Sequence, residues 1–227
     1  MIKIAHASKD EKNGIKGGVS GDQTGKEVCI RTWYSRPWTC VIRFKDPDMR
    51  DKVAVAMEHA AANDRIGYDQ NQRNTLLAAV RKLNYDPKNV TIPVETDCSA
   101  LVTVACIYAG IAEEALVKGG NSATTSTLKS RLKATGEVSV FTTKDYTHDT
   151  DKLLRGDILL SEGHHVAVVT CGNKVDMSDM SIEEVAMMVI RGELGTGSYR
   201  RARITEMGFN YAVVQEYVNR LLKEKKK

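Results

Sequence analysis

The pattern of apolar and polar positions divides the chain into three textures. Residues 1–45 are rich in Gly and polar side chains. Two short stretches there, "EVCIRTW" and "TCVIRF", have strand-like composition, with "YSRPW" between them. Further on, apolar residues recur at helical spacing. "DPDMRDKVAVAMEHAAAND" opens with an Asp-Pro entry and sets Val53, Met57, Ala60 and Ala61 on one face. "QNQRNTLLAAVRKLNYDP" predicts a second helix that stops before Pro87. The segment that begins at Cys98 predicts a third, apolar on most sides. "TTSTLKSRLKATG" predicts a fourth, amphipathic and ending at Gly136. Strand candidates follow: "VSVF", "GDILLS" and "HVAVVT". Helices in the middle with strands after them predict an α+β class rather than a regular βα alternation.

After "CGNKVDMSD" the strand signal disappears. The pattern predicts three short helices over 182–190, 199–207 and 211–222, punctuated by the Gly-containing turns "RGELGTG" and "GFN". Ser181 with Glu184 has the form of a capping box. The expected organisation is a domain over 1–176, a linker at 177–180 and a three-helix bundle over 181–227. Such a bundle is near the lower size limit for an independent core.

Composition narrows the function classes. A net charge of +4 on 227 residues gives no argument for nucleic acid, though it is compatible with an anionic polymer such as bacterial cell wall. "MIKIAHASKDEKNG" lacks the apolar run of a secretory signal, and residues 100–112 are too short to cross a bilayer. These features predict a product made in the cytoplasm with no membrane insertion. The five cysteines are odd in number and form no CxxC pair, so free thiols are expected.

One cysteine stands at a joint. Cys98 follows Thr96-Asp97, which suit a helix start, and precedes the apolar run. The positive end of that helix dipole is expected to favour a thiolate. Cys106, inside the same run, reads as core. The candidate base lies in "GDILLSEGHHVAVVTCGN". Neighbouring strand residues point to opposite faces, so only one of His164 and His165 can face Cys98. Zinc is a rival reading, with His164, His165, Cys171 and Cys98 as ligands. Adjacent histidines on one strand converge poorly on one ion, and HExxH is absent, so no metal and no other cofactor is expected.

"TDCSALV" followed by "RGDILLSEGHHVAVV" resembles the papain-like cell-wall hydrolases of the NlpC and CHAP type. The resemblance implies a papain-like catalytic domain with Cys98 as nucleophile, His165 as base and Asp157 as a structural acid. It places a polar residue on the strand after the histidine, for which Asn173 and Asp176 are the candidates. "GGVSGDQTGKEVCIRTWYSRPW" is similar to the start of endolysins from phages of Gram-positive bacteria. That similarity implies a substrate cleft with Asp22, Trp33, Tyr34 and His164, and Gln23 as an oxyanion donor.

The region from Ile182 to Leu221 resembles a CW-seven (Cpl-seven type) cell-wall-binding repeat, through Val185, Ala186, Gly192, Gly195, Gly197, Val214, Val218 and their neighbours. Glu184, Arg200, Tyr211 and Gln215 are the implied wall contacts. A single repeat needs help for avidity, from a homo-oligomer or from the catalytic domain. The combined expectation is a modular endolysin that partners with peptidoglycan and reaches the wall after release. It would cut either the D-glutamyl–diamino acid bond or the bond joining muramic acid to L-alanine. The rivals are a catalytically inactive wall-binding phage protein and a metal-dependent hydrolase.

Overall fold

The computed structural model describes residues 1–173, 181–192 and 194–224. The chain divides into two compact units, Met1–Asn173 and Lys174–Lys227. In the first unit the strands are β1 Lys3–Ala7, β2 Val28–Thr32, β3 Cys40–Phe44, β4 Ile66–Tyr68, β5 Val94–Thr96, β6 Val138–Phe141, β7 Ile158–Ser161 and β8 His165–Cys171. Its helices are α1 Pro47–Ala61, α2 Thr75–Val80, α3 Cys98–Tyr108, α4 Glu113–Leu116, α5 Leu128–Ala134 and α6 Lys144–Thr147. The class is mixed α and β with a mostly antiparallel sheet. Six strands run in the order β2-β1-β8-β7-β3-β6, and β4 with β5 forms a separate parallel pair.

Both faces of the large sheet are covered. Ala5, Ala7, Val166 and Val168 join the core built with α1 and α3. Ile2, Ile4, Ala167 and Val169 join a second core with Trp38, Val41 and Leu159. Strand alternation gives each strand one set of apolar residues for each core. The central strands therefore read as continuous apolar runs.

α3 begins where Asp97 caps it. The Asp97 carboxylate accepts from the Ala100 backbone N–H at 2.7 Å. Arg73 clamps the same carboxylate at 2.5 Å and also donates to the Ala123 and Ser122 carbonyls. Residues 98–107 are all buried, as the uninterrupted apolar run predicts. Burying one leucine such as Leu101 contributes about 1.5–3 kcal/mol, so the run anchors Cys98 firmly.

The glycine-rich segment before β2 is ordered by carboxylates. Asp22 accepts from the N–H groups of Thr24, Gly25 and Glu27. Glu27 accepts from Gln23 and Tyr68, Asp69 from Gly17 and Asn71, and Glu95 from Gly21. Gly67 is obligatory here: a Cβ would stand 2.6 Å from the Gly21 backbone.

Asp157, the expected structural acid, receives Arg43 through Nε and NH2 at 2.7 Å each and the Leu154 N–H at 2.8 Å. Burial still pushes its carboxyl above the ordinary value, so the pair fixes geometry more than it adds stability. Gly156 leads into it with φ of 84°, and a Cβ there would meet the Arg50 carbonyl oxygen at 2.1 Å.

The second unit holds α7 Ile182–Ile190, α8 Gly197–Glu206 and α9 Tyr211–Glu224 around Val185, Val189, Leu194, Ile204, Val214 and Val218. Ser181 and Glu184 form the capping box. Among the described residues no helix is long and apolar enough to cross a membrane.

Several elements differ from the sequence expectation, among them the short β4, β5, α4 and α6, which the pattern did not predict. The pattern did not predict β1, a short strand in a polar terminus. The helix expected up to Pro87 shrinks to α2, with irregular turns after Val80 where Asn84 and Tyr85 take positive φ.

Removing the Asp157 carboxylate strands a mostly buried guanidinium. Asp157→Ala should therefore cost about 3–5 kcal/mol in urea unfolding, whereas Asp157→Asn should cost less. Equal stability of Asp157→Ala and wild type would contradict the anchor role.

Candidate active site

Cys98 is the first helical residue of α3 and is 6% exposed. Its own backbone N–H has no acceptor within the helix. The backbone N–H groups of Val166 and Ser99 favour the sulfur's thiolate form. Burial outweighs them, and the Asp97 carboxylate adds to it, so the thiol is pushed up to about 12. This is opposite in direction to the expected helix-lowered thiol, with desolvation the largest cause and the adjacent Asp97 anion next.

His165 opens β8, directly before Val166, and is 7% exposed. Its Nε2 lies 2.9 Å from Nδ1 of His6. His6 stands on β1, the strand that pairs with β8. The two rings meet edge to face at 5.1 Å, with Trp38 6.2 Å from His165 and Tyr34 6.2 Å from His6. Burial is the main reason both imidazoles titrate low, at about 3 for His165 and about 4 for His6. For His165 the next causes are His6 and Arg36; for His6 they are Arg31 and Arg36. At neutral pH the thiol and both imidazoles are uncharged. Among the described residues, no hydrogen bond joins the sulfur to either ring, and Nδ1 of His165 makes none.

Two depressions flank these groups. One, of about 960 Å³, is lined by His6, Tyr34, Tyr68 and His165 among others. The other, of about 340 Å³, is lined by Cys98, Ser99, Arg73 and Thr124 among others. His164 and Gln70 line both, so the two depressions adjoin in one groove, with His6 and His165 in one part and Cys98 in the other.

Of the residues expected in the cleft, Tyr34 and His164 line this groove. Asp22 and Trp33 line neither depression. Asp22 is committed to the turn before β2, and Trp33 packs on the second core. Gln23 is not placed as an oxyanion donor: its amide donates to the Ser20 and Gly21 carbonyls. Asn173 does not orient His165. It lies past the far end of β8 and donates to the Thr150 and Asp151 carbonyls. Asp176 lies outside the described residues.

His6 and Tyr68 are the residues sequence reasoning missed. The Tyr68 hydroxyl accepts from Gln70 Nε2 at 3.1 Å, and its own proton is not engaged. Burial pushes this phenol up to about 12, and the nearby Cys98 adds to the effect, so it stays a donor. A single histidine in "KIAHA" carried no motif. Alternation within that stretch was the one available signal for a strand.

In the second unit, Glu184 serves the capping box and Arg200 donates to the Gly195 carbonyl at 2.8 Å. Tyr211, Gln215 and Asn219 succeed one another at i, i+4 and i+8 on α9, with Gln215 donating to Asn219 at 3.2 Å. Arg201 lies over the Tyr211 ring at 4.9 Å.

A family model described as an endolysin-like domain matches residues 4–175, and a model of the CW_7 repeat matches residues 183–222. No curated protein and no solved structure matches the chain.

The lowered histidines fix a sign. In the unfolded chain each binds a proton below about 6.5, which the folded chain refuses until about 3–4. Their contribution is complete above pH 6.5 and is lost as pH falls from there. His6→Gln should therefore lose stability less steeply than wild type between pH 6.5 and 4.5 in urea titrations. Parallel curves would contradict the assignment.

Proposed function

The chain belongs to the endolysin-like domain family, and from that premise we propose that it hydrolyses an amide of the peptidoglycan stem peptide with Cys98 as nucleophile. The family match and the wall-binding repeat support an endolysin that acts on peptidoglycan. The observation that carries the finer reading is that Cys98, at the start of a buried helix, has its sulfur beside the backbone N–H of Val166, the residue after His165, whose ring is hydrogen-bonded to His6. We read the unit as a papain-like fold of the NlpC and CHAP kind. The polar partner of the base histidine then comes from β1 rather than from a later strand. Sheet adjacency, not chain order, makes the partner.

The tautomers follow from the roles. Nδ1 of His165 takes the thiol proton, so Nε2 carries a hydrogen and donates it to Nδ1 of His6. Cys98 Sγ attacks the carbonyl carbon and the thiol proton passes to His165. The backbone N–H of Cys98 and the Tyr68 hydroxyl are donors for the oxyanion. The C–N bond then breaks, and His165 returns its proton to the leaving amine. Water, deprotonated by His165, splits the thioester and restores the thiol. His6 is a positioning residue that holds the ring and disperses the transient imidazolium charge. Because the resting groups are neutral, proton transfer accompanies attack rather than preceding it.

The second unit holds the enzyme on the wall. The strip of Tyr211, Gln215 and Asn219 offers an aromatic ring and amides to a glycan or peptide, with Glu184 and Arg200 shaping the ends of the bundle elements.

Cys98→Ala should lower the lysis rate of purified walls by about a thousandfold or more while co-sedimentation with the walls persists. Undiminished lysis would refute the nucleophile. His6→Gln should lower kcat by about ten- to a hundredfold with little change in KM. A loss confined to KM would instead place His6 in substrate binding.

A further inference from the structure

The charges around the larger depression fall into two kinds. The acids are already engaged. Asp10 accepts from the Lys12 and Gly14 N–H groups, and Glu11 accepts from Val19 and pairs with Lys12 at 3.4 Å. The cations Lys9, Lys26, Arg31 and Arg36 form no ion pair among the described residues. Two of them lie beside the histidines. The Arg31 guanidinium sits over the Tyr34 ring at 4.7 Å, which leaves its edge donors available. Arg36 has a buried Nε with no hydrogen-bond partner. That Nε is shielded from solvent, so a ligand would meet the terminal nitrogens of the half-buried Arg36 and of the exposed Arg31, and a planar bidentate anion fits such donor forks best.

We propose that Arg31 and Arg36 form a subsite for a substrate carboxylate, next to the amide that His165 serves. The proposal rests on the hydrolase reading above and narrows it to a substrate class. A γ-linked D-glutamate carries a free α-carboxylate beside its scissile γ-amide. The bond from the lactyl group of muramic acid to L-alanine has no carboxylate on either adjoining residue. The subsite therefore selects the D-glutamyl bond, and selects stem peptides whose glutamate is not amidated. A carboxamide presents one acceptor and no charge, and so loses the bidentate, charge-assisted pairing with a guanidinium. The bound carboxylate would also offset the positive field of Arg36 at His165 and of both arginines at His6, which favours the imidazolium formed during attack.

The test uses the full chain and two probes, L-Ala-γ-D-Glu-L-Lys and its counterpart with D-isoglutamine. Wild type should cleave the carboxylate peptide with kcat/KM about tenfold or more above the carboxamide. Arg36→Gln should remove that preference, falling about tenfold on the carboxylate and less than about twofold on the carboxamide. Arg31→Gln should act in the same direction. Equal cleavage of both probes by wild type, or equal losses on both in the variants, overturns the subsite. If neither probe is cleaved, the hydrolase reading fails at this bond, and calorimetry with Cys98→Ala still reads the subsite. Tighter binding of the carboxylate, abolished by adding Arg36→Gln, supports it. Equal or undetectable binding of the two probes overturns it.

Discussion

Antiparallel pairing of β1 with β8 sets Ile4 against Val169 and Ala5 against Val168, and so brings His6 within 2.9 Å of His165. The rest of the site depends on this contact. β8 also runs past the start of α3, where the Val166 N–H favours the thiolate form of Cys98. One strand therefore carries His165, stands beside the strand of His6, and places the Val166 N–H at the sulfur. The surrounding cores hold β8 on both faces, through Val166 and Val168 on one and Ala167 and Val169 on the other.

This dry setting has a chemical consequence. Desolvation raises the thiol and lowers both imidazoles, so the resting site stores no thiolate–imidazolium pair. Such a site is quiet toward adventitious oxidants and electrophiles, which act on thiolate. In the proposed mechanism a substrate carboxylate at Arg31 and Arg36 would supply the negative charge that such a site lacks, and catalysis and selection would then share one electrostatic cause.

Much of this was legible in the residues, and the failures have physical reasons. The apolar run after Asp97 announced a buried helix, and "HVAVV" announced a central strand, because burial on both faces leaves continuous apolar stretches. The class, the bundle helices and the Ser181–Glu184 cap were legible for similar local reasons. The Cys98 and His165 positions came from the D-C-S and H-V-A-V-V motifs together. His6 was not legible. Its role comes from a neighbour 159 residues away in the chain, and no local pattern encodes that pairing. Asp22 and Gln23 were expected in the cleft through the likeness of "GGVSGDQTGKEVCIRTWYSRPW" to the start of phage endolysins. They are instead consumed by their own backbone, which needs acceptors and donors to order a segment with little apolar content. At Cys98 the local sequence announced a helix start but not the burial that, with Asp97, pushes the thiol up.

The two units divide the task between chemistry and retention. The bundle buries few side chains and relies on caps and turns, as its size requires. The central claim is that acyl transfer passes through Cys98. Its most direct test is to react the full chain with stem peptides, quench in acid and weigh the chymotryptic fragment that contains Cys98. The account predicts a transient mass gain equal to the acyl portion of the peptide, lost as product accumulates. Steady hydrolysis with no adduct on that fragment, undiminished in Cys98→Ala, would contradict it.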